Sequence, residues 1–216
     1  MNLTVACVLK SGGQYDAEWV AILRAAVARH MSWQHRFVCL TDMDVSGTDA
    51  EAVPLEENWP GWWSKIELFR PDLFDGPMLY LDLDSVIVGD LSGLPVNAGF
   101  CAMQEPSRVG GICSTAMAWR GDFSAIYRQF WSDPETYMWL HDHDRADRRI
   151  GDQAFIYATL RDKGHRPSVW KGRKVCSFKH HCKAVLPPGA AVVAFHGKPK
   201  PPEALDVAWV RDNWRV

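Results

Sequence analysis

The chain has 216 residues, a formal net charge of −2 and 47% apolar residues. That length suits one large domain, 1–216, with a core of its own. The near-neutral balance gives no electrostatic case for nucleic acid or an anionic membrane surface as partner. No apolar run approaches the roughly 20 residues of a transmembrane segment, and the N-terminus lacks the basic region, apolar core and cleavage site of a signal peptide. Cys7, Cys39, Cys101 and Cys113 lie in apolar, strand-like runs. They read as buried thiols, which suits a reduced, cytoplasmic protein. Cys176 and Cys182 bracket His180 and His181. Without a second spaced pair, a basic surface loop is expected there rather than a zinc site.

In chain order, Leu3–Leu9 is an apolar, β-rich run broken by Ser11-Gly12-Gly13. Asp16 is placed to cap a helix whose Trp19, Val20, Leu23, Ala26, Val27 and His30 share one face. Phe37–Leu40 is a second strand, ended by Thr41-Asp42, so the chain opens as strand, helix, strand, the start of a parallel α/β sheet. Residues 43–60 read as a polar excursion. Trp62–Phe69 is a helix stopped at Arg70-Pro71, and a third strand runs into Leu81-Asp82-Leu83-Asp84. Strands are expected at Gly99–Met103 and Ser114–Trp119, with a turn over Ser107–Gly111. A helix opens at Gly121-Asp122 and carries Phe123, Ile126, Tyr127, Phe130 and Trp131 on one side. His141-Asp142-His143-Asp144 reads as a solvated loop, and Ile150–Asp162 as a helix stopped by Gly164. Short strands at Ser168–Trp170 and Ala191–Phe195 precede His196-Gly197-Lys198-Pro199-Lys200-Pro201-Pro202, and Glu203–Trp209 is a last short helix.

Asp82 and Asp84 are the first chemical landmark. On a strand they would point to the same face. Two adjacent carboxylates repel and are costly to bury unpaired, and a divalent cation relieves both problems. Oxygen ligands suit Mg²⁺ or Mn²⁺, which often sit between carboxylates and a substrate's phosphates. Ligands of open parallel sheets bind beyond the carboxyl ends of the strands. The loop after Leu9, Asp42 and Asp82/Asp84 all fall at such ends. Asp152-Gln153 supplies a carboxylate and an amide. His196 supplies an imidazole, which shifts the metal preference toward Mn²⁺, and Gly197, Lys198 and Lys200 supply close backbone approach and ammonium groups for phosphate.

An apolar strand ending in Asp-x-Asp, then an acid-Gln helix start, then a late His-Gly with Lys-Pro: that order resembles the GT-A glycosyltransferases. It is most similar to family 8, the group of glycogenin and the bacterial lipooligosaccharide galactosyltransferases. The resemblance runs from the Leu3 strand to Pro201. It implies an α/β fold, a GT-A (Rossmann-like) three-layer sandwich with a mixed, mainly parallel central sheet. The nucleotide-binding half would be about 1–90 and the donor-sugar and acceptor half about 91–216. It also implies a hexosyltransferase that moves a sugar from a nucleotide-sugar donor, a UDP-sugar, to an acceptor hydroxyl with retention, using Mn²⁺ or else Mg²⁺. On this resemblance Asp82, Asp84 and His196 match the metal ligands, and Asp152 and Gln153 the catalytic pair beside the anomeric centre. Gly197 and Lys200, or Lys198 in its place, match the diphosphate contacts, and Lys65 a basic residue reaching the donor. Where the family often has Asn-Ala-Gly, this chain reads Ser114-Thr115-Ala116. The acceptor, whether saccharide, lipid-linked or protein, is not readable.

Two rival readings use the same residues. Asp82-Leu83-Asp84-Ser85-Val86 also fits the opening motif of haloacid dehalogenase-like phosphohydrolases, with Asp82 as nucleophile. That motif belongs on the first strand of its fold, and here two strands and a helix precede it. A non-catalytic nucleotide- or carbohydrate-binding module is the other.

Overall fold

Strand β1 (Leu3–Leu9) lies inside a seven-stranded sheet, parallel to β2 (His35–Thr41) on one side and to β4 (Met78–Leu81) on the other. The structure, a computed structural model, describes residues 3–107, 110–142, 151–182 and 185–216. Both faces of β1 are covered, which is why it reads as a continuous apolar run instead of alternating. Helix α1 (Ala17–His30) connects β1 to β2. Asp16 caps it by accepting the Glu18 amide hydrogen at 3.0 Å. Beyond β2 the sheet ends in β3 (Glu51–Pro54), also parallel. Beyond β4 it turns antiparallel through β7 (Ile112–Arg120) and β6 (Gly99–Gln104), and β8 (Ser168–Val169) closes that edge parallel to β6. The order is β3-β2-β1-β4-β7-β6-β8, a mixed and mainly parallel sheet.

A second, three-stranded sheet is built from β5 (Ser85–Ile87), β9 (Val175–Ser177) and β10 (Val192–Ala194), with β10 in the middle. The period of two sorts the large sheet's side chains into two cores. Leu3, Val5, Cys7 and Leu9 of β1, with Leu79 and Leu81 of β4, pack toward α1 and the small sheet. Ala6, Met78 and Tyr80 face the opposite layer. That layer consists of the 3₁₀ segment Gly61–Phe69, α2 (Ala125–Ser132) and α4 (Gly151–Asp162). Helix α5 (Ala208–Asn213) packs behind the small sheet through Val210.

Several expectations are corrected. Residues 51–54, within the expected excursion, form β3, so the Asp82/Asp84 strand is the fourth. That strand also stops at Leu81. Asp82–Ser85 is a turn closed by the Ser85 amide donating to the Asp82 carbonyl at 3.1 Å, and Ser85 already belongs to the small sheet. The helix expected from Gly121 starts at Ala125, and Asp122 instead accepts the Ser124 amide at 2.8 Å. Trp131, expected on the buried side, is 59% exposed. His141 and Asp142 end a further helix, α3 (Pro134–Asp142), while His143, Asp144 and Ile150 lie outside the described residues. In the tail, a short 3₁₀ turn at Pro201–Ala204 and α5 replace the single helix expected over Glu203–Trp209. Cys176 and Cys182 are not on a surface loop. β9 and a wide helical turn, Phe178–Cys182, bury both thiols with their Sγ atoms 3.4 Å apart. All six cysteines are free and buried. Among the described residues no helix is long and apolar enough to cross a membrane.

Phe130 and Trp131 separate periodicity from burial. Phe130 is fully buried, stacked on Trp63 at 5.0 Å and edge-on to Trp59 and Phe155. Phe130→Ala is expected to lower unfolding free energy by about 3–5 kcal/mol. Trp131→Ala, at an exposed position, is expected to stay within about 0.5 kcal/mol. Urea denaturation of the two variants checks both.

Candidate functional site

At the carboxyl ends of β1 and β4 the structure opens a cavity of about 1060 Å³. Every residue matched from the sequence to the metal, the donor or the catalytic pair lines it: Lys65, Asp82, Asp84, Asp152, Gln153, His196, Gly197, Lys198 and Lys200. The loop after Leu9 reaches the same cavity through Lys10, Ser11 and Tyr15. Asp42 stands just behind that loop. It accepts the Ser11 amide at 2.8 Å and the Ser11 hydroxyl at 2.6 Å, and it pairs with Lys10. Burial pushes the Asp42 carboxyl up, but the Lys10 and Ser11 hydrogen bonds outweigh it and hold it down at about 2.

The turn at 82–85 sets the geometry. The Asp82 amide donates to the Thr115 carbonyl on β7 at 2.8 Å, and the Phe195 amide donates to the Asp84 carbonyl at 3.2 Å. These bonds pin the turn between the two sheets. The two carboxylates consequently meet different partners rather than sharing one strand face. Asp82 Oδ1 accepts the Tyr80 hydroxyl and lies 3.1 Å from Lys65 Nζ. Asp84 Oδ2 accepts the Tyr15 hydroxyl at 2.8 Å and pairs with Lys200 Nζ.

Lys65 is no solvated helix lysine. The 3₁₀ segment buries it and aims its Nζ at Asp82, at Asp152 Oδ2 3.0 Å away and at the Ser114 hydroxyl 3.1 Å away. Burial alone would lower its pKa, but the Asp152 and Asp82 charges outweigh burial and raise it. Ser114 in turn donates to Asp152 Oδ2 at 2.6 Å. The pairing of β6 with β7 slips here, from Ala102 opposite Met117 to Met103 opposite Cys113, so Ser114–Ala116 form a bulge. Bulges re-aim side chains, and this one places Ser114 between Lys65 and Asp152. Burial first, then repulsion from Asp84, pushes the Asp82 carboxyl up to about 6 against the pull of Lys65.

The late motif divides its two lysines. Lys200 is buried on Asp84 and also donates to the Phe195 carbonyl at 3.3 Å. Lys198 is largely exposed and pairs with Glu203 at 3.3 Å. His196 Nε2 is 2.7 Å from the Ser177 hydroxyl, and burial, then the nearby Lys179, lowers its pKa. Gly197 takes φ +70°, and a Cβ there would come within 2.7 Å of Lys179 Nζ.

No family model matches the chain, and no curated protein sequence matches it. Solved structures do. The glycosyltransferase GlyE of Streptococcus pneumoniae TIGR4 matches with a TM-score of 0.64 and 12% identity, over 93% of this chain and 56% of that one. The galactosyltransferase LgtC, solved with donor and acceptor sugar analogues, matches with a TM-score of 0.60 and 10% identity, over 99% of this chain and 97% of that one. An active-site mutant of LgtC matches at a TM-score of 0.61. The chain has the GT-A fold. It spans little more than half of GlyE but nearly all of LgtC.

Within this GT-A chain the cavity has the chemistry of a hard-cation site. Three carboxylates, Asp82, Asp84 and Asp152, meet two ammonium groups, Lys65 and Lys200, leaving negative charge in excess. Each aspartate of the turn spends one oxygen on its protein partners. Among the described residues no donor reaches Asp82 Oδ2 or Asp84 Oδ1. Oxygen donors with an imidazole on the same cavity suit Mn²⁺ or Mg²⁺. No three acidic, histidine or cysteine side chains converge as a ready ligand set among the described residues. The residues thus fit a divalent cation in kind, with His196 held on Ser177 rather than grouped with the aspartates.

Tyr15, Tyr80, Ser114 and His180, which also line the cavity, were not singled out as site residues from the sequence. The one signal for Ser114 was the departure Ser114-Thr115-Ala116 from the family's pattern.

Lys65→Met leaves Asp82 and Asp152 buried without their shared cation. A loss of about 3–5 kcal/mol is expected at pH 8. Asp82 already titrates at about 6 rather than at its ordinary 3.8, and losing Lys65 raises it further. A carboxyl raised in the folded state binds more protons folded than unfolded, so stability falls as pH climbs between those values. The variant's deficit should therefore shrink at pH 5, as measured by urea denaturation at both pH values.

Proposed function

We propose that this chain is a metal-dependent glycosyltransferase moving a sugar from a nucleotide-sugar, a UDP-sugar, to an acceptor hydroxyl with retention. The observation that carries this reading is the convergence of three separated sequence nodes, 82–84, 152–153 and 196–200, on one cavity of a GT-A fold. GlyE and LgtC, with the same fold, are glycosyltransferases. Asp82, Asp84 and His196 would hold the cation, Mn²⁺ or else Mg²⁺. When bound, it supplies Lewis-acid stabilisation of the leaving nucleoside diphosphate.

The chain's own residues do the rest. Residues 1–90 bring the loop after β1, Lys65 and the 82–84 turn, and form the nucleotide half. Residues 91–216 bring Asp152-Gln153 to the donor sugar and acceptor. Lys200 is already the inner lysine of the late motif, so its ammonium, rather than that of Lys198, balances charge on the departing phosphates, with Gly197 allowing close backbone approach. Asp152 stands where its charge stabilises the positive character that develops on the anomeric carbon. Its Oδ2 is bound by both Lys65 and Ser114, which mutes it as a nucleophile and keeps it oriented. The acceptor proton then passes to a leaving phosphate oxygen on the same face. Gln153 offers its amide to a sugar hydroxyl. The six free, buried cysteines suit a cytoplasmic enzyme.

At a hundred times its Kd, UDP with Mn²⁺ is expected to stabilise the fold by about 2.7 kcal/mol and lift Tm by roughly 5–10 °C. Asp84→Asn should weaken Mn²⁺ binding by about 100-fold or more. In donor-hydrolysis assays Lys200→Ala should cost about 10²–10³-fold in kcat, and Lys198→Ala far less. Absence of any response to UDP, GDP or CMP, with phosphate released from phosphomonoesters, would sink this reading in favour of a phosphohydrolase. Nucleotide binding without donor turnover would make the chain a binding module.

A further inference from the structure

The turn Phe178–Cys182 takes no part in the reading above, yet His180 on it lines the cavity. β9 runs parallel to β10, with Ser177 opposite Ala194. The two segments stay side by side past their strands. Phe178 stacks on Phe195 at 4.3 Å and 19°, and His180 stacks on His196 at 5.9 Å and 24°. Ser177 ties them, its hydroxyl joining His196 Nε2 at 2.7 Å and accepting the His180 amide at 3.4 Å. His180 is exposed and lines the cavity beside Gly197. Lys179 is half-buried, and its ammonium sits where a side chain at position 197 would otherwise stand.

We infer that the Lys179 ammonium and the His180 ring form a second arm for the diphosphate of the donor, beside Gly197 of the late motif. The inference rests on the glycosyltransferase reading and extends it to a segment that reading does not use. Among the described residues no carboxylate lies within ion-pair distance of Lys179, unlike Lys65, Lys198 and Lys200. Its ammonium lies against the glycine of the late motif. A phosphate drawn close to Gly197 thus enters the field of this ammonium and the reach of the His180 ring nitrogens. Lys179 acts as a positioning charge, because it stands against Gly197 and does not itself line the cavity. His180, on the lining itself, is the direct contact. The ligand must carry a phosphate at this end of the cavity, so the arm distinguishes nucleoside diphosphate from a nucleoside that fills only the base and ribose region.

The test compares binding of UDP, UMP and uridine, each with Mn²⁺, to wild type, Lys179→Met and His180→Gln by calorimetry. A charged hydrogen bond contributes enough to change affinity about 10- to 100-fold. His180→Gln is therefore expected to lose at least about 10-fold for UDP and Lys179→Met, a charge without direct contact, about fivefold, with uridine within about twofold of wild type and Tm unchanged. Wild-type UDP affinity in both variants, or an equal loss for UDP and uridine, overturns the inference and leaves the glycosyltransferase reading standing. Failure of wild type to bind any nucleotide with Mn²⁺ removes that reading, and this inference with it.

Discussion

The site is governed by electrostatics in a confined space. Asp82 and Asp84 from one turn and Asp152 from α4 are brought to one cavity, and among the described residues the ammonium groups that pair with them are Lys65 and Lys200. Unpaired buried carboxylates cost several kcal/mol each in effect, and truncating one partner of a buried pair costs more than the pair contributes. The surrounding structure is arranged to avoid that outcome. The 3₁₀ segment buries Lys65, the β7 bulge inserts Ser114, and the hydroxyls of Tyr15 and Tyr80 each donate to a carboxylate of the turn. Burial and the Asp84 carboxylate raise the pKa of the Tyr15 hydroxyl, as burial and the Asp82 carboxylate do for Tyr80. Both therefore remain donors.

Much of this was readable from the chain because the signals were local. β1 is a continuous apolar run, α1 has its Asp16 cap and one apolar face, and α4 stops at Gly164 with φ +80°. The three polar nodes could be grouped because carboxyl ends of parallel strands share one edge of the sheet. What failed was set by tertiary context. Asp82 and Asp84 look like one face of a strand, but β4 stops at Leu81, and the turn that follows, closed by its own Ser85 amide, is held by Thr115 and Phe195, far along the chain. Trp131 continues an apolar stripe in sequence, yet α2 is only eight residues long and its core face is filled by Ile126 and Phe130. β9 is three residues long and leads into a helical turn of five. Segments that short carry no periodicity to read, so the burial of Cys176 and Cys182 was invisible, as was the approach of Lys179 to Gly197.

The roles of Lys65 and Lys200 differ for a reason that follows from their partners. Lys65 holds two carboxylates, Asp82 and Asp152, so its departure would strand two buried charges at once. Lys200 holds one carboxylate, Asp84, whose other oxygen has no protein donor among the described residues. A cation bound at that second oxygen would take over the charge balance of Asp84. The Lys200 ammonium would then be available to an anionic group. With such a cation bound, the site would combine a fixed ammonium, Lys65, held between Asp82 and Asp152, with one on the late motif that changes partner.

That asymmetry maps onto the layers. The side-chain partners of Asp82 are Tyr80 of β4 and Lys65 of the 3₁₀ segment, on one side of the large sheet, and Lys65 in turn holds Asp152 of α4. The partners of Asp84 come from the loop before α1 and from the tail after β10, on the side of the small sheet. The turn that joins the two aspartates is also the point where the chain leaves one sheet for the other. A ligand that engages both aspartates therefore bridges elements whose own contacts run mainly through separate cores. Its binding energy reaches α4 through Asp82 and Lys65, and the tail through Asp84 and Lys200. Substitutions in either core that shift these elements should act on the same site, because the cavity is lined from both sides, by the loop before α1, the 3₁₀ segment, the start of α4 and the late motif.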